Sequence, residues 1–398
     1  MYKVKGNIIL FLIIILSLNG YAQFYTQENI EEAKDMVTIC NSFTFLSLYK
    51  TDNAIIPSNY KKTFTSGVFG MDNKYQVYQT SSKAVINLRG STTKKISWME
   101  NIYSSMIPAE GHIVLQEDTF FYKFSKDASA GVHAGYALGI AFLANDIIHQ
   151  IKSLNYDGIY NITITGHSQG GALAILLRAY LENLPKGKIS EKNHFKTYAF
   201  AHPKVGNQEF VKAYLENCKN GSNYSIINVK DFIPKMPLNS RSHKSMSSSE
   251  SISRVIFDKS YTVKDAAMGT LGKMFGGSLA SVMKYTSESA LKQITKKVGE
   301  VTMPLYIADV EYSIMGNRIE LTEFEYPKIL KDPSILKNDS LKTYHKYNTE
   351  GVFEDESVYK SEPTLFQHKT YNYYAGFLKK YYPREYDMLK VKILLENL

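Results

Sequence analysis

At 398 residues, with 44% hydrophobic and 21% charged side chains, the chain is long and apolar enough to bury a substantial core, which excludes a disordered or low-complexity protein. Its formal net charge of +9 comes from lysines spread along the chain, so it argues for a mildly cationic surface and against nucleic acid as a partner. There is no His-Glu-x-x-His pair, no paired Cys-x-x-Cys and no EF-hand loop, so no metal is implied.

The first predicted element is a leader. Lys3 and Lys5 precede an apolar run from Ile8 to Leu18, and Gly20-Tyr21-Ala22 supplies small residues at the usual cleavage positions. Residues 1–22 therefore read as a secretory signal peptide cut near Ala22 and Gln23; the run is short for the alternative, an uncleaved membrane anchor. An exported chain over 23–398, secreted or periplasmic, is the expectation. Its remaining charge of +7 is compatible with an anionic lipid interface and equally with plain solubility. The two cysteines, Cys40 and Cys218, fit either one bridge or two buried thiols.

In the mature chain, residues 27–50 carry apolar side chains at helical spacing (Ile30, Ala33, Met36, Val37, Cys40) and acidic residues in the first turn. Residues 75–80 and 83–88 predict two strands joined by a polar turn, the second running into Arg89-Gly90-Ser91. A long helix is expected over 135–154, introduced by Val132-His133. Then the order strand, helix, strand, helix, strand repeats over 160–165, 171–183, 195–201, 207–217 and 224–229. Strands alternating with helices predict an α/β protein with a mainly parallel central sheet covered on both faces. Beyond Pro237 the pattern loosens: a Ser-rich loop over 240–253, an amphipathic helical stretch over 265–297, a strand pair at 304–324 around Gly316-Asn317, and a helix over 369–378.

One segment carries chemistry. Gly166-His167-Ser168-Gln169-Gly170-Gly171-Ala172-Leu173-Ala174 sets a serine between a β-branched strand and a helix whose first turn has almost no side-chain bulk. This is the local build of a nucleophile elbow; the plain alternative is a Gly-rich strand-to-helix turn. A serine hydroxyl is a poor nucleophile at neutral pH and needs a base, an acid to orient that base, and donors for the oxyanion. In folds built on this elbow the acid follows the serine along the chain, and Asp231 lies directly after a predicted strand in Asn228-Val229-Lys230-Asp231-Phe232-Ile233-Pro234. An aspartate capping a turn is the bland reading of the same residue.

Four separated patches and the acid segment together resemble the class 3 lipases, the fungal-type triacylglycerol lipases and their bacterial and plant relatives. Val85-Ile86-Asn87-Leu88-Arg89-Gly90-Ser91 is similar to the family's strand ending in Phe-Arg-Gly-Thr/Ser, and Val132-His133-Ala134-Gly135-Tyr136 to its Val-His-x-Gly-Phe. The elbow with its Gly-Gly-Ala-Leu-Ala tail, and Phe200-Ala201-His202-Pro203-Lys204-Val205-Gly206-Asn207, complete the set, which covers about residues 60 to 240 in the family's order. The resemblance implies an α/β-hydrolase fold with Ser168 as nucleophile and Asp231 as acid. It also implies oxyanion donors at the backbone N–H of Gln169 and at Ser91, and no cofactor. His133 and His167 match positions that shape the site without titrating in the reaction.

For the base, His368 in Phe366-Gln367-His368-Lys369-Thr370-Tyr371 resembles the family's terminal histidine, with His345 and His243 as the alternatives. The 137 residues between Asp231 and His368 imply an insertion or cap at about 245–345. Residues 95–102, with the chain's only tryptophan at Trp98, lie where fungal relatives place a lid; buried packing is an equal reading, and 265–297 is a second candidate cover. The implied function is an exported serine carboxylester hydrolase, a lipase or esterase working on acyl glycerides or related lipid esters through an acyl-enzyme. The alternatives are a phospholipase or soluble-ester esterase on the same triad, and a non-catalytic envelope binding protein with a hydrolase fold.

Overall fold

Alternation within single strands shows how the sheet is covered. In a computed structural model of the protein, Val85 packs with Tyr198, Phe200 and Phe377 on one face, whereas its neighbour Ile86 packs with Ile164, Leu143 and Leu173 on the other. Successive strand side chains point to opposite faces, so a strand buried at every position must have helices on both sides. The structure describes residues 26–49, 55–116, 118–218, 222–237, 279–308, 311–316, 318–363 and 365–395. The expected signal peptide at 1–22, the Ser-rich stretch at 240–253 with His243, and residues 265–278 lie outside these.

Seven strands form the central sheet in the order β1 (Lys61–Thr65), β2 (Tyr75–Gln79), β3 (Lys83–Leu88), β8 (Asn161–His167), β9 (His194–Phe200), β10 (Asn223–Asn228) and β12 (Arg318–Leu321). From β3 onward every pairing is parallel; β1 and β2 add an antiparallel edge. Helices α1 (Gln27–Cys40) and α2 (Ser42–Tyr49) open the described chain. Helix α3 (Lys95–Ile102) follows β3, and α4 (Ala134–Tyr156) and α5 (Gln169–Glu182) flank β8. Helix α6 (Gln208–Asn217) joins β9 to β10, α7 (Leu279–Val298) precedes β12, and α8 (Asp339–Tyr344), α9 (Thr370–Tyr381) and α10 (Pro383–Met388) close the chain. Helices α1 and α9 share one apolar cluster through Met36, Val37, Tyr373 and Phe377, while α4 and α5 fill the opposite one. This is the α/β-hydrolase architecture, with the elbow serine, the acid loop and the loop after β3 all at the carboxyl ends of parallel strands.

Three local findings were not in the sequence pattern. Strands β4 (Met106–Pro108) and β7 (Gly131–His133) pair with each other, and β5 (Glu110–Leu115), β6 (Asp118–Lys123) and β11 (Val301–Thr302) make a separate small sheet. Among the described residues of 304–324 the strand pair expected around Gly316-Asn317 is not seen: there only Arg318–Leu321 is a strand, and it runs parallel beside β10 with Ser225 opposite Arg318. Burial of Ile319 and Leu321 against that edge outweighs the local turn propensity. Part of the stretch expected to be an insertion at 245–345 is therefore a strand of the main sheet. Cys40 and Cys218 are both buried, free thiols.

Candidate active site

Steric contact explains the elbow. Strand β8 ends at His167, Ser168 adopts φ 58° and ψ −128°, and α5 starts one residue later. Such a backbone angle is costly for a residue with a Cβ and persists only where its surroundings over-determine it. Here a side chain on Gly166 would lie 2.3 Å from the Gly170 backbone, and one on Gly170 would lie 2.2 Å from the Leu88 carbonyl oxygen. Strand, helix and β3 thus approach to backbone contact. The Ser168 N–H donates to the Phe200 oxygen at 2.9 Å, tying the bend to β9.

Asp231, the expected acid, lies in the turn after β10. Asn228 starts that turn: its carbonyl accepts from the Asp231 N–H at 3.0 Å and its side-chain oxygen from the Lys230 N–H at 2.9 Å. The Ile233 N–H then donates to Asp231 Oδ1 at 3.0 Å. The loop that carries His368 is anchored on the same residue, because Asn228 Nδ2 donates to Gln367 Oε1 at 2.8 Å while Gln367 Nε2 donates to the Phe324 oxygen at 2.8 Å. Consequently His368 Nδ1 sits 2.7 Å from Asp231 Oδ2, and its Nε2 sits 2.8 Å from Ser168 Oγ. With Nδ1–H donating to the carboxylate, Nε2 is the acceptor for the serine proton. Asp231 is almost completely buried, and Tyr373 on α9 donates its hydroxyl to the same Oδ2 at 2.7 Å while accepting from the Asn228 N–H at 2.9 Å.

The remaining histidines separate by environment. His167 lies beside this line, its ring 4.9 Å from that of His368 and its Nδ1 3.1 Å from Thr370 Oγ1. Burial, reinforced by the charge that His368 can carry, holds its pKa well below the ordinary value. His133 is fully buried and stacked on Tyr136; its Nδ1 accepts from the Tyr136 N–H at 3.3 Å, and burial lowers its pKa to about 3. Both stay neutral near pH 7. His345 is turned to Asp355, with Nδ1 2.6 Å from Oδ2, at the end of α8.

On the other side of Ser168, a Cβ on Gly90 would stand 2.8 Å from the His167 oxygen and 3.6 Å from Ser168 Cβ, so the loop after β3 borders the nucleophile. Ser91 follows: its hydroxyl donates to Gln169 Oε1 at 2.7 Å and accepts from Asn101 Nδ2 at 2.9 Å. The Gln169 N–H is the first of α5 and belongs to the amides that a helix leaves without an intrahelical acceptor. Backbone N–H groups next to a reacting serine are what stabilises a tetrahedral oxyanion, and because the Ser91 hydroxyl proton is given to Gln169, its backbone N–H is the donor left to that residue. Helix α3, for which lid and buried packing are equal readings of the sequence, buries Ser97, Met99 and Glu100 and is packed against α7. The segment around α7 is fastened below it: Ser105 N–H donates to Ser287 Oγ at 2.8 Å, Tyr312 OH to the Ser104 oxygen at 2.9 Å, and Tyr103 and Tyr306 share a hydrogen bond at 2.5 Å.

Tyr373, Gln367, Asn101, Asn73 and Glu100 carry no recognisable spacing signal, since they reach the site from separate stretches of the chain, with only Glu100 and Asn101 sharing an element, α3. Tyr373 lies beside Tyr371 and Tyr374 on α9, and only the helix's rotation selects it.

Comparison with known proteins points to one family. The family described as lipase (class 3) matches residues 85–241. A chloroplastic phospholipase A1-Ialpha2 of Arabidopsis thaliana is 30% identical over 164 residues, 38% of this chain and 32% of its own length. A secreted mono- and diacylglycerol lipase 1 of Fusarium solani is 27% identical over 141 residues, 35% of this chain and 39% of its own. The chain therefore spans only about a third of the length of these curated relatives. Among solved structures, lipase II from Rhizopus niveus aligns with TM-score 0.41 and 20% identity over 55% of this chain and 78% of its own.

Proposed function

This chain belongs, through residues 85–241, to the class 3 lipase family, and from that premise we propose that it is an exported serine carboxylester hydrolase acting on lipid esters. The observation that carries the reading is the hydrogen-bonded line Ser168 Oγ, His368, Asp231 at a strained elbow. In the first half-reaction His368 Nε2 takes the hydroxyl proton as Ser168 Oγ bonds to the ester carbonyl carbon, and the carbonyl oxygen takes up the negative charge between the Gln169 N–H and Ser91. The tetrahedral species collapses, the carbon–oxygen bond to the alcohol breaks, and the alcohol leaves with the proton from His368. Water then enters by the same route and releases the fatty acid from the acyl-serine. Asp231 Oδ2, 2.7 Å from His368 Nδ1, orients the ring and holds the imidazolium.

The relatives' names suggest two substrate classes, acylglycerols and phospholipids, and both present the same carbonyl to the elbow. Export is supported by the apolar leader over 8–18 and by the several relatives named as secreted. The test is labelling with a fluorophosphonate together with hydrolysis of acylglycerol, phospholipid and short-chain esters by the wild type and Ser168→Ala. Labelling and turnover that vanish in Ser168→Ala are expected. A wild type that neither labels nor hydrolyses any of them is a binding protein and the reading fails.

A further inference from the structure

Beneath the elbow lies a buried polar cluster for which triad chemistry has no use. Gln169 Oε1 accepts from Ser91 Oγ at 2.7 Å, and Ser97 Oγ and Asn101 Nδ2 both stand at 3.3 Å from it. On the other end of the amide, Gln169 Nε2 donates to Asn73 Oδ1 at 3.3 Å, and Asn73 Nδ2 donates in turn to Glu100 Oε2 at 2.8 Å. Glu100 has no solvent exposure, and its Oε1 rests against Gly139 of α4, where an added Cβ would stand 2.4 Å from it. Polar groups cost free energy to bury, so a chain of them running from the core to one loop hydroxyl must be over-determined in geometry. Its upper end is Ser91.

We propose that the Gln169 side chain, oriented from below by Asn73 and Glu100, is a positioning residue: by accepting the Ser91 hydroxyl proton it fixes the loop after β3 so that the Ser91 backbone N–H serves as an oxyanion donor. The inference rests on the ester-hydrolase reading of the same site. Gln169 then contributes twice: its backbone N–H is the first of α5 beside Ser168, and its amide oxygen holds the Ser91 side chain, so both donors depend on one residue. Asn101 assists from α3 by donating to Ser91 Oγ, and Tyr136 OH holds Asn101 Oδ1 at 2.9 Å. Burial pushes the Glu100 carboxyl up to about 8, so near neutral pH it is an uncharged acid. A neutral base under the hole lets the amides orient by hydrogen bonding, with no buried anion opposing the developing negative charge.

The test is a double-mutant cycle on the full chain, read as kcat and KM for a chromogenic ester, with Ser91→Ala, Gln169→Leu and the double variant. Gln169→Leu keeps the backbone N–H, so the expected result is a kcat lowered about tenfold or more with KM within about twofold, a similar loss for Ser91→Ala, and a double variant no slower than the slower single one. Glu100→Gln, which keeps an acceptor for Asn73, is expected to retain most of kcat, whereas Glu100→Ala loses it while thermal unfolding stays cooperative. Wild-type kcat in Gln169→Leu, or losses that multiply in the double variant, overturn the proposal. If turnover disappears in Ser168→Ala but persists in Gln169→Leu, this inference alone fails; absence of turnover in the wild type removes it together with the hydrolase reading.

Discussion

The two ring nitrogens of His368 meet different partners, and that asymmetry fixes which histidine can accept a proton from Ser168. His345 has a comparable carboxylate contact at Asp355 and no contact with Ser168. His368→Ala is therefore expected to abolish turnover of a chromogenic ester, and His345→Ala to leave it within about twofold; the reverse pattern would reassign the base. Tyr373 bears on the same line one step further back. Tyr373→Phe removes a hydroxyl donor to a buried carboxylate and strands the Asn228 N–H, and a hydrogen bond to a charged group contributes about 1.5–3 kcal/mol. A kcat lowered about tenfold with KM nearly unchanged is expected, and unchanged kcat would show that His368 alone orients the acid.

At the level of elements, the elbow is a packing problem solved by two missing side chains. Gly170→Val would drive a branched side chain into the Leu88 carbonyl, which no rotamer relieves because the neighbour is backbone. A loss of about 3 kcal/mol or more is expected, measured as a lowered midpoint in chemical unfolding, whereas Gly67→Ala, with no atom within 4 Å and no left-handed backbone angle, costs far less. Helix α3 poses the opposite question. Its inner face is buried and α7 packs against it, with Ser287, Tyr306 and Tyr312 bonded to the residues that follow it. A helix so held is a wall of the site. Turnover should therefore rise smoothly with substrate concentration as a soluble ester aggregates; an abrupt jump at that point would show that α3 opens.

For the whole molecule, buried titratable groups set how stability follows pH. Burial holds His133 at about 3 and His202 at about 4, and keeps His167 well below its ordinary value, so on acidification the unfolded chain binds protons near pH 6.5 that the folded chain refuses. These three stabilise fully above pH 6.5 and lose that contribution as pH falls. Glu100, raised to about 8, and Asp35, raised to about 6, act with the opposite sign: the folded chain keeps their protons, and stability falls as pH rises from about 4 toward those values. Three groups outweigh two below pH 6.5, with a net loss of roughly 2 kcal/mol between pH 6.5 and 5. Between pH 6.5 and 8 the Glu100 loss is opposed by the remaining gain as the unfolded histidines finish deprotonating. The midpoint of thermal unfolding should be nearly flat from pH 6.5 to 8, fall by several degrees at pH 5, and rise from pH 6.5 to 8 in Glu100→Gln. A midpoint that rises steadily from pH 6.5 to 5 contradicts the balance.

The alternation of β-branched strands with helices, the small residues around Ser168 and the Pro-rich turn after Asp231 are local requirements of backbone geometry, and such requirements are written in consecutive residues. That is why the parallel sheet and the elbow were legible from the sequence. Selection among distant partners is different: His368 meets Ser168 across 200 positions because Gln367 and Tyr373 both lock onto Asn228, and no spacing rule encodes that convergence. The same holds for Arg318–Leu321, which joins β10 as a parallel strand where local turn residues favoured a hairpin, and for the Asn73, Glu100 and Gln169 cluster. Local stereochemistry determined the frame; burial and long-range hydrogen bonding, which depend on what the rest of the chain leaves unfilled, decided what faces the serine.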